Sequence, residues 1–366
     1  FTMNRKHKWS AFLAIAMICG SITGCAGTEN NSKETVQNSS SIKEESQKSD
    51  DKYSDTITLV WYPNESAEDY QGARDEIGRL IEQATGKKVD QKLTTDYAIA
   101  IESLSNGTAQ IGCVMGAEGY IQAKSANNAV NPLFVQSGES GTLDDALYYS
   151  FFAVNSADAD NYKNGGSYSI DNIKGSKISF VSNSSTSGFK VPTNNIISHF
   201  SSDDLIVDDL IEGGNDAFFS EVLFGGSHQG SAFNLLSGKC DVAAFCDIEL
   251  APYADHVSGN EHETGSVYAI KSNASAPFDT VTGAEYTVIQ SIPVLNGPFA
   301  YNGDVISPED VKAIQELFTS DAVSGNPLIF YTDDSGELGL YEKKSEEMCF
   351  LTVEDSWYDP IRNMES

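Results

Sequence analysis

The sequence predicts an α/β protein with two lobes, each containing a sheet with a parallel core, joined by two crossing strands. Strand and helix patterns alternate with short joints from Ile57 onward, and the same alternation restarts at Lys177. Short joints of this kind place consecutive strands parallel, with the helices as crossovers. Two long extended runs, Tyr148–Asn155 and Tyr286–Val294, flank the second alternation. At 366 residues, of which 40% are hydrophobic, the chain can fill two cores.

The first alternation begins and ends with a strand. Apolar residues with helical spacing run from Ala73 to Ala84 and stop at Gly86, which is typical of a helix and its end. A second helical segment stops at Asn106-Gly107. The predicted elements, in chain order, are strand Ile57–Trp61, helix Ala67–Thr85, strand Lys88–Leu93, helix Asp96–Ser105 and strand Ile111–Val114.

The second alternation follows the first long extended run. In chain order it comprises strand Lys177–Val181, helix Val191–His199, strand Glu221–Phe224, helix His228–Leu236 and strand Asp241–Phe245. After the second extended run, Ser307 and Pro308 open a further helix, because serine caps a first turn and proline is tolerated at its first position. The second lobe is therefore inserted into the first. A cleft between the lobes would be bordered by strand C-termini and helix N-termini.

The N-terminus has the order of a bacterial lipoprotein signal. A basic stretch precedes an apolar run, Ala11–Cys19, that is too short to span a bilayer. Ile22-Thr23-Gly24-Cys25 then resembles a lipobox, so we expect cleavage before Cys25 and lipidation of that cysteine. The alternative is an ordinary secretory signal with a coincidental cysteine. The lipoprotein interpretation places the protein on the outer face of the cytoplasmic membrane.

A polar segment follows this cysteine. Residues 26–52 are rich in Ser, Asn, Gln, Glu and Lys and offer almost nothing to bury, which is typical of a flexible tether. The predicted organisation is a signal peptide at 1–24, the lipidated cysteine and tether at 25–55, the first part of lobe 1 at 56–150, lobe 2 at 151–287, and the return part of lobe 1 at 288–366.

Charge and cysteine usage exclude several classes of function. The formal net charge of −30 would repel phosphate backbones and so disfavours nucleic acid as a partner. Beyond the signal region, the four cysteines lack C-x-x-C pairing and histidines at zinc spacing, so we expect neither a metal nor another cofactor. They are Cys113, Cys240, Cys246 and Cys349. A disulfide between Cys240 and Cys246 stays open at this point.

A cluster of hydroxyl side chains lies between a strand and a helix of the second lobe. The stretch is Ser185-Thr186-Ser187-Gly188. Backbone N–H groups in the first turn of a helix are unpaired and carry partial positive charge, so they attract an anion. The hydroxyls add donors, and Gly188 would let the backbone approach closely. The pattern indicates an oxyanion site, and the alternative is a generic polar loop without a ligand.

Four short motifs occur in order along the chain. They are Thr95-Asp96-Tyr97 before the second helix, Ser185-Thr186-Ser187-Gly188 with Val191-Pro192, Gly226-Ser227-His228 followed by Gly238–Ala244, and Ser356–Arg362 near the C-terminus. Together they resemble the phosphonate-type substrate-binding proteins of ABC transporters, over roughly Ile57 to Arg362. Each motif is weak alone, and their order makes the resemblance specific.

The resemblance implies a fold and a function. The fold is the bilobal type II periplasmic-binding-protein fold. The function is capture of a phosphonate, phosphite or phosphate and its delivery to a membrane permease, by a monomer that is not an enzyme. The residues expected to bind the ligand are Tyr62 and Asn64 after the first strand, Tyr97, Ser185, Thr186, Ser187, Gly188, His228, and Asp247 or Glu249.

Departures from the family pattern leave the organic part of the ligand open. Cys113-Val114-Met115-Gly116 stands where the family offers an aromatic residue, and Tyr120 is a candidate substitute. The acidic residue that binds a ligand amine is either Asp247 or Glu249, because the spacing after Asp241 does not align cleanly with the family pattern. The stretch Ser201–Phe219 is longer than the family core needs.

The acidic balance of the chain restricts how an anion is held. No arginine lies in the hydroxyl loop, so we expect neutral donors to meet the charge: backbone N–H groups, hydroxyls, Tyr97 and His228. A nearby carboxylate then favours a ligand with a protonated oxygen or an ammonium group, and aminoalkylphosphonate is the leading candidate. A sulfonate or another small organic ligand on the same fold is the alternative cargo.

Two motifs suggest other chemistry. Ser187-Gly188-Phe189-Lys190 satisfies S-x-x-K, a serine-enzyme motif, but no S-D-N or K-T-G partner follows, and His228 has no recognisable triad. Asp333-Asp334-Ser335-Gly336 resembles part of a calcium loop but lacks a closing acidic residue, so we interpret it as a turn.

Overall fold

The computed structural model describes residues 52–64, 70–336 and 338–364. The predicted signal peptide, the lipidation site Cys25 and the tether as far as residue 51 lie outside these ranges. Both large sheets of the protein belong to one compact unit of the chain. Within the described ranges, no helix is both long and apolar enough to cross a membrane.

Strands and α-helices alternate through much of the chain. The strands are β1 Thr56–Trp61, β2 Lys88–Leu93, β3 Ile111–Cys113, β4 Val130–Gln136, β5 Leu147–Asn155, β6 Lys163–Asn164, β7 Ser167–Tyr168, β8 Lys177–Phe180, β9 Glu221–Phe224, β10 Val242–Cys246, β11 Ala254–Ser258, β12 Val267–Ile270, β13 Glu285–Leu295, β14 Phe299–Asn302, β15 Phe330–Tyr331, β16 Tyr341–Glu342 and β17 Phe350–Leu351. The α-helices are α1 Gln71–Thr85, α2 Tyr97–Ser105, α3 Gly116–Ala126, α4 Val191–His199, α5 Val207–Ile211, α6 His228–Leu236, α7 Pro308–Phe318, α8 Asp321–Ser324 and α9 Asp359–Arg362. One turn of π-helix, Thr186–Lys190, leads directly into α4, and we call it the π turn.

The first sheet has six strands in the order β17-β4-β14-β3-β1-β2. β1 is parallel to both of its neighbours, β2 and β3, whereas β14, β4 and β17 extend the sheet through antiparallel pairs. The apolar face of α1 packs on this sheet through Ala73, Ile77 and Ile81, all of which are fully buried. Burial of a large aliphatic side chain contributes about 1.5–3 kcal/mol. The helical spacing read from the sequence therefore corresponds to the face that builds this core.

The second sheet has seven strands in the order β11-β12-β13-β5-β10-β8-β9. β8 lies between β9 and β10 and is parallel to both. β5 and β13 pair antiparallel along almost their whole length, from Tyr286 opposite Asn155 to Leu295 opposite Leu147. The chain enters this sheet through β5 after β4 of the first sheet, and leaves it through β13 before β14. The predicted α/β fold class, two sheets with parallel cores and two crossing strands, is confirmed.

The segments with the clearest sequence patterns agree with the structure. β2, β9, α4 and α6 have the predicted bounds, and β1, β3, β5, β8, β10 and β13 begin and end within one residue of them. Asp333–Ser335 forms a single 3₁₀ turn, as the sequence indicates. The sequence patterns did not predict α3, β4, β14 or the strands near the C-terminus.

The four cysteines in the described residues are free thiols. Cys113, Cys240 and Cys246 are buried, and Cys349 is partly buried. The possible disulfide between Cys240 and Cys246 is therefore absent. Cys240 lies just before β10 and Cys246 at the end of that strand, and the two belong to different hydrophobic clusters.

Candidate binding site

Strand ends and helix beginnings surround a small space between the two sheets, which we call the recess. The residues that begin α3, the π turn and α6 all line it: Gly116, Thr186 and His228. Its volume is about 40 Å³, which is room for a few oxygen-sized groups. Because the first amides of a helix lack acceptors within that helix and carry partial positive charge, three such ends favour an anion.

The hydroxyl loop is held by its own backbone and by Ser185. The Ser185 hydroxyl accepts a hydrogen bond from the Gly188 N–H at 3.1 Å, and the Ser185 carbonyl accepts one from the Lys190 N–H at 3.0 Å. The second bond spans five residues, which makes the turn a π turn, a conformation often found at functional sites. The Gly188 carbonyl accepts from Val181 N–H. A Cβ on Gly188 would lie 2.2 Å from a Val181 methyl carbon, so only glycine fits there.

Thr186 connects the loop to the first sheet's side of the recess. Its Oγ1 accepts a hydrogen bond from the Glu118 N–H in the first turn of α3, at 2.9 Å. Ser184 Oγ donates to Gln122 Oε1 of the same helix at 3.0 Å. Thr186 is 2% exposed and lines the recess, so its hydroxyl proton remains for a group that enters there. One hydroxyl can thus accept from α3 and donate to a ligand.

The third hydroxyl residue of the loop, Ser187, is also buried at the recess. Tyr148 and Cys246 line the recess together with it. Its carbonyl accepts a hydrogen bond from Ser150 Oγ of β5 at 2.6 Å. Ser187 therefore lies where the loop, β5 and β10 meet.

A chain of buried hydrogen bonds lies behind the recess. Tyr97 donates its hydroxyl proton to Asn64 Oδ1 at 2.5 Å, and the Asn64 amide donates to the Val114 carbonyl at 3.3 Å. Burial first, and the Glu249 carboxylate second, raise the pKa of Tyr97 well above its usual value, so the phenol stays protonated.

Val114 has an unusual backbone conformation at the end of this chain. Its φ is 52°, which is rare for a β-branched residue and costs about 1–3 kcal/mol. The Asn64 hydrogen bond holds its carbonyl in this conformation. The bend lets the chain turn from β3 directly into α3, so that Gly116 reaches the recess.

His228 presents one defined hydrogen-bond donor. Its Nδ1 accepts a hydrogen bond from the Cys246 backbone N–H at 3.1 Å, so the proton of the neutral ring is on Nε2. Burial lowers the pKa of His228 to about 3, which keeps the ring neutral at physiological pH. The Ser227 hydroxyl caps the helix start by accepting from the Gly230 N–H at 3.0 Å. His228 thus offers an uncharged Nε2–H at the recess.

The two carboxylates near the recess differ in their surroundings. Asp247 Oδ1 accepts from the Tyr149 N–H at 2.9 Å, and its Oδ2 lies 3.1 Å from His262 Nδ1, an ion-pair distance without hydrogen-bond alignment. Both side chains are buried, but Glu249 lines the recess and Asp247 does not. Of the two residues that the sequence left as alternatives, Glu249 is the one at the recess.

The structure brings together six of the ten predicted ligand-binding residues around the recess. They are Asn64, Ser185, Thr186, Ser187, His228 and Glu249. Tyr97 and Gly188 lie behind the recess, where Tyr97 supports Asn64 and Gly188 packs on Val181. Asp247 lines a neighbouring cavity.

Tyr62 lies deeper still, against α3. A Cβ on Gly119 would lie 1.4 Å from the Tyr62 hydroxyl oxygen, so the ring fills a space that only glycine leaves. Within the described residues, that hydroxyl is buried without a hydrogen-bond partner. Tyr62 packs on Tyr97, with ring centroids 4.6 Å apart, and so it acts as packing beneath the site.

The suggested substitute Tyr120 does not reach the recess, and that expectation is wrong. Its ring is buried on α3, and its hydroxyl donates to Asp355 Oδ1 at 2.5 Å. The ring also contacts Tyr358, with centroids 5.1 Å apart. The C-terminal motif therefore packs against the back of α3, and Tyr120 belongs to that contact.

Several recess residues were not identified from the sequence. They include Val114, Gly116, Tyr148, Cys246, Asn296 and Gly297. A sequence signal exists for one pair, because Asn296-Gly297 is a turn dipeptide directly after the second crossing strand. The sequence gives little indication that Gly116 begins a helix, since α3 contains two glycines and few large apolar residues.

A larger cavity adjoins the recess, and we call it the chamber. Its volume is about 340 Å³. Val114, Gln136, Tyr148, Glu249 and Tyr341 are among the residues that line both spaces, so the recess and the chamber are continuous. Residues on both the first-sheet and second-sheet sides form its wall, including Ser137 and Lys344 on one side and Leu250 and His262 on the other.

Neutral groups dominate the recess. Among the described residues that line it there is no lysine or arginine, and Glu249 is the ionisable carboxylate. Lys190 is buried in the π turn and is not part of the lining. An anion in the recess would therefore be held by amides, hydroxyls and the His228 ring.

Two sheets with parallel cores, linked by two crossing strands and enclosing a recess at their strand ends, define the type II periplasmic-binding-protein fold. The chain belongs to the family described as ABC transporter, phosphonate, periplasmic substrate-binding protein, whose model matches residues 59–337. Members of this family bind and deliver a substrate for transport.

Individual relatives agree with this assignment. The chain is 26% identical over 273 residues to the phosphate-import protein PhnD of Mycolicibacterium smegmatis, covering 74% of this chain and 73% of that protein. A binding-protein component of an ABC phosphonate transporter from Pseudomonas aeruginosa has a similar structure, with a TM-score of 0.57, 17% identity, and coverage of 84% of this chain and 85% of that one. PhnD1 of Prochlorococcus marinus, solved in complex with methylphosphonate, also has a TM-score of 0.57, with 13% identity and coverage of 85% and 97%.

Proposed function

We propose that this protein captures a phosphonate or phosphate for an ABC importer, and that the recess holds the phosphoryl group. The observation that carries the proposal is the convergence of three helix beginnings with two hydroxyls and one neutral imidazole N–H. The named ligands of relatives, phosphate and methylphosphonate, support the same class. A tetrahedral oxyanion needs several convergent donors, and the recess supplies them.

Neutral donors make such a site compatible with an acidic protein. The formal net charge is −30. Most carboxylates in the described ranges are exposed, and salt screens their effect over about 8 Å. Helix amides and hydroxyls act at contact distance and in a desolvated space, where each interaction is stronger than in water. The His228 ring donates without adding charge, because burial keeps it neutral.

Glu249 would select among oxyanions. A carboxylate beside an anion is costly unless it accepts a proton from the ligand. A phosphonate monoanion or a hydrogen phosphate carries a P–OH that can donate to Glu249, whereas a sulfonate carries no such proton. The same carboxylate lines both the recess and the chamber, so it is also placed to meet an ammonium group on the substituent. We therefore propose that Glu249, and not Asp247, binds the protonated group of the ligand. Aminoalkylphosphonate is the leading ligand.

The remaining features of the proposal come from the sequence. We propose that residues 56–150 and 288–366 form one lobe and residues 151–287 the other, with the recess between them. The protein would be a monomer that acts by binding and catalyses no reaction. Lipidated Cys25 would hold it on the outer face of the cytoplasmic membrane, where it can deliver its ligand to the permease.

Titration calorimetry of the purified full chain tests the proposal. Methylphosphonate and methanesulfonate have the same size, and they differ in the P–OH group. We expect methylphosphonate to bind at least 100-fold more tightly, and Glu249→Gln to reduce that ratio by about tenfold or more. Equal affinity for both compounds, or tighter binding of the sulfonate, would overturn the proposal.

A further inference from the structure

The chamber is much larger than a small phosphonate requires. The chamber has a volume of about 340 Å³ and the recess one of about 40 Å³. Sites for small organic molecules typically have volumes of about 300–1,000 Å³. The methyl group of methylphosphonate would leave nearly all of the chamber to water. The size of the chamber matches a substituent of many atoms.

The wall of the chamber is rich in aromatic rings. Tyr149, Tyr331 and Tyr341 line it and are partly exposed, and Tyr341 also lines the recess. Aromatic rings pack on planar groups in offset-stacked or edge-to-face arrangements that contribute beyond simple burial of area. A planar ring attached to a phosphoryl group in the recess would meet these tyrosines.

One part of this wall is both flat and strained. Tyr149 stacks on His262 with ring centroids 5.1 Å apart and planes 10° apart. His262 has a φ of 61°, a left-handed conformation that few residues other than glycine adopt. The Tyr268 hydroxyl accepts from its N–H at 3.0 Å, and Ser291 donates to its carbonyl at 2.5 Å. Strain of this kind persists where surrounding contacts enforce it, and here it places the imidazole against Tyr149.

Each ring nitrogen of His262 has an ionisable side chain close to it. Its Nδ1 lies 3.1 Å from Asp247 Oδ2, and its Nε2 lies 3.2 Å from the ammonium nitrogen of Lys344. Lys344 comes from the segment after β16, and Asp247 follows β10 of the second sheet. The stacked pair is therefore a flat surface of the chamber, held by the Lys344 contact and by the two backbone hydrogen bonds of His262.

The charges of the wall restrict that group further. Among the described residues that line the chamber, six are carboxylates, one is a lysine and two are histidines. The carboxylates belong to Glu139, Asp145, Asp247, Glu249, Glu261 and Glu342. A second anionic group on the substituent would be repelled, whereas a neutral or cationic one would not. The wall thus disfavours polyphosphates and carboxylated rings.

We propose that the chamber also accepts a substituent larger than an aminoalkyl chain, namely a planar ring without negative charge, on a phosphonate bound in the recess. The inference rests on the proposed function, because it requires the phosphoryl group in the recess. The ring lies between the Tyr149–His262 pair and Tyr341, and Glu249 marks the boundary between head group and substituent.

A series of four phosphonates tests the inference by titration calorimetry on the purified full chain. The probes are methylphosphonate, benzylphosphonate, cyclohexylmethylphosphonate and 4-carboxybenzylphosphonate. We expect benzylphosphonate to bind about tenfold more tightly than methylphosphonate. The cyclohexyl compound should be at least threefold weaker than benzylphosphonate, and the carboxylated compound at least tenfold weaker.

Two variants test the location of the ring. Ala251 lines the chamber and not the recess, so Ala251→Trp should fill space and abolish the tenfold preference for benzylphosphonate over methylphosphonate. Tyr149→Ala should reduce the same ratio by removing the stacked ring, and Tyr149→Phe should restore it. Ala98→Trp, on an exposed position of α2, is the matched control and should leave the ratio unchanged.

Failure of this inference differs from failure of the proposed function. Methylphosphonate binding with no gain for benzylphosphonate would overturn the chamber assignment and leave the recess assignment intact. A preserved benzylphosphonate preference in both Ala251→Trp and Tyr149→Ala would also overturn it. Absence of binding by every phosphonate, in protein shown to be folded by its thermal transition, would overturn both.

Discussion

Replacement of Thr186 by valine should weaken phosphonate binding roughly 10- to 160-fold. Valine keeps the branched shape of threonine but has no hydroxyl, so the backbone of the π turn should be preserved. In the structure Thr186 Oγ1 accepts from the Glu118 N–H at 2.9 Å, and Thr186 lines the recess. The variant therefore removes one donor to the ligand and one acceptor for α3.

The expected loss in affinity comes from the hydrogen bond between the Thr186 hydroxyl and the ligand. A hydrogen bond to a charged ligand contributes about 1.5–3 kcal/mol, which corresponds to roughly 10- to 160-fold weaker binding. The bond from the Glu118 N–H joins two parts of the protein, so its contribution of about 1 kcal/mol belongs to the free energy of unfolding.

Titration calorimetry with methylphosphonate measures this loss. Thr186→Ser is the matched control, because it keeps the hydroxyl and removes only a methyl group. We expect the serine variant to bind within about threefold of the natural protein. If Thr186→Val also binds within threefold, the Thr186 hydroxyl does not contact the ligand, and the assignment of the π turn as the phosphoryl site is refuted.

Three further predictions concern anchoring, protonation and amine recognition. Cys25→Ala should release the protein from the membrane fraction or leave its N-terminus unprocessed, and membrane fractionation that shows no change would contradict lipidation. Burial lowers the pKa of His228 from 6.5 to about 3, so the ring is neutral in the folded protein. Its contribution to the free energy of unfolding is complete above pH 6.5. That contribution declines as the pH falls toward 3, by up to about 1.4 kcal/mol per pH unit. The difference in free energy of unfolding between the natural protein and His228→Asn should therefore shrink between pH 7 and pH 4.5, and a constant difference in denaturant titrations would contradict the neutral ring. Glu249→Gln should weaken 2-aminoethylphosphonate at least tenfold more than ethylphosphonate, whereas Asp247→Asn should weaken both equally, and the reverse pattern by calorimetry would assign the amine to Asp247.

Local patterns were enough to predict the elements that carry the hydroxyl loop and His228. The apolar run before Ser182 marks β8, and the serine and glycine residues before His228 mark the start of α6. The chemistry of these segments is local, because caps and turns depend on residues within three or four positions. The sequence could therefore place the anion-binding groups at helix beginnings.

Contacts between distant segments could not be predicted in the same way. The bond between Glu118 N–H and Thr186 joins residues 68 positions apart, and α3 shows no strong apolar period that would mark it as a helix. Tyr97 illustrates a second limit. The sequence identified it as a neutral donor to the ligand, but the folded chain directs its hydroxyl proton to Asn64. The direction of a proton depends on partners that only the tertiary structure brings together.

A crystal structure of the protein with methylphosphonate would test the central claim most directly. The claim predicts the phosphorus atom in the recess, with its oxygens about 2.7–3.2 Å from the Thr186 and Ser187 donors and from His228 Nε2. A phosphonate bound instead in the chamber beside Lys344, with the recess empty, would contradict it.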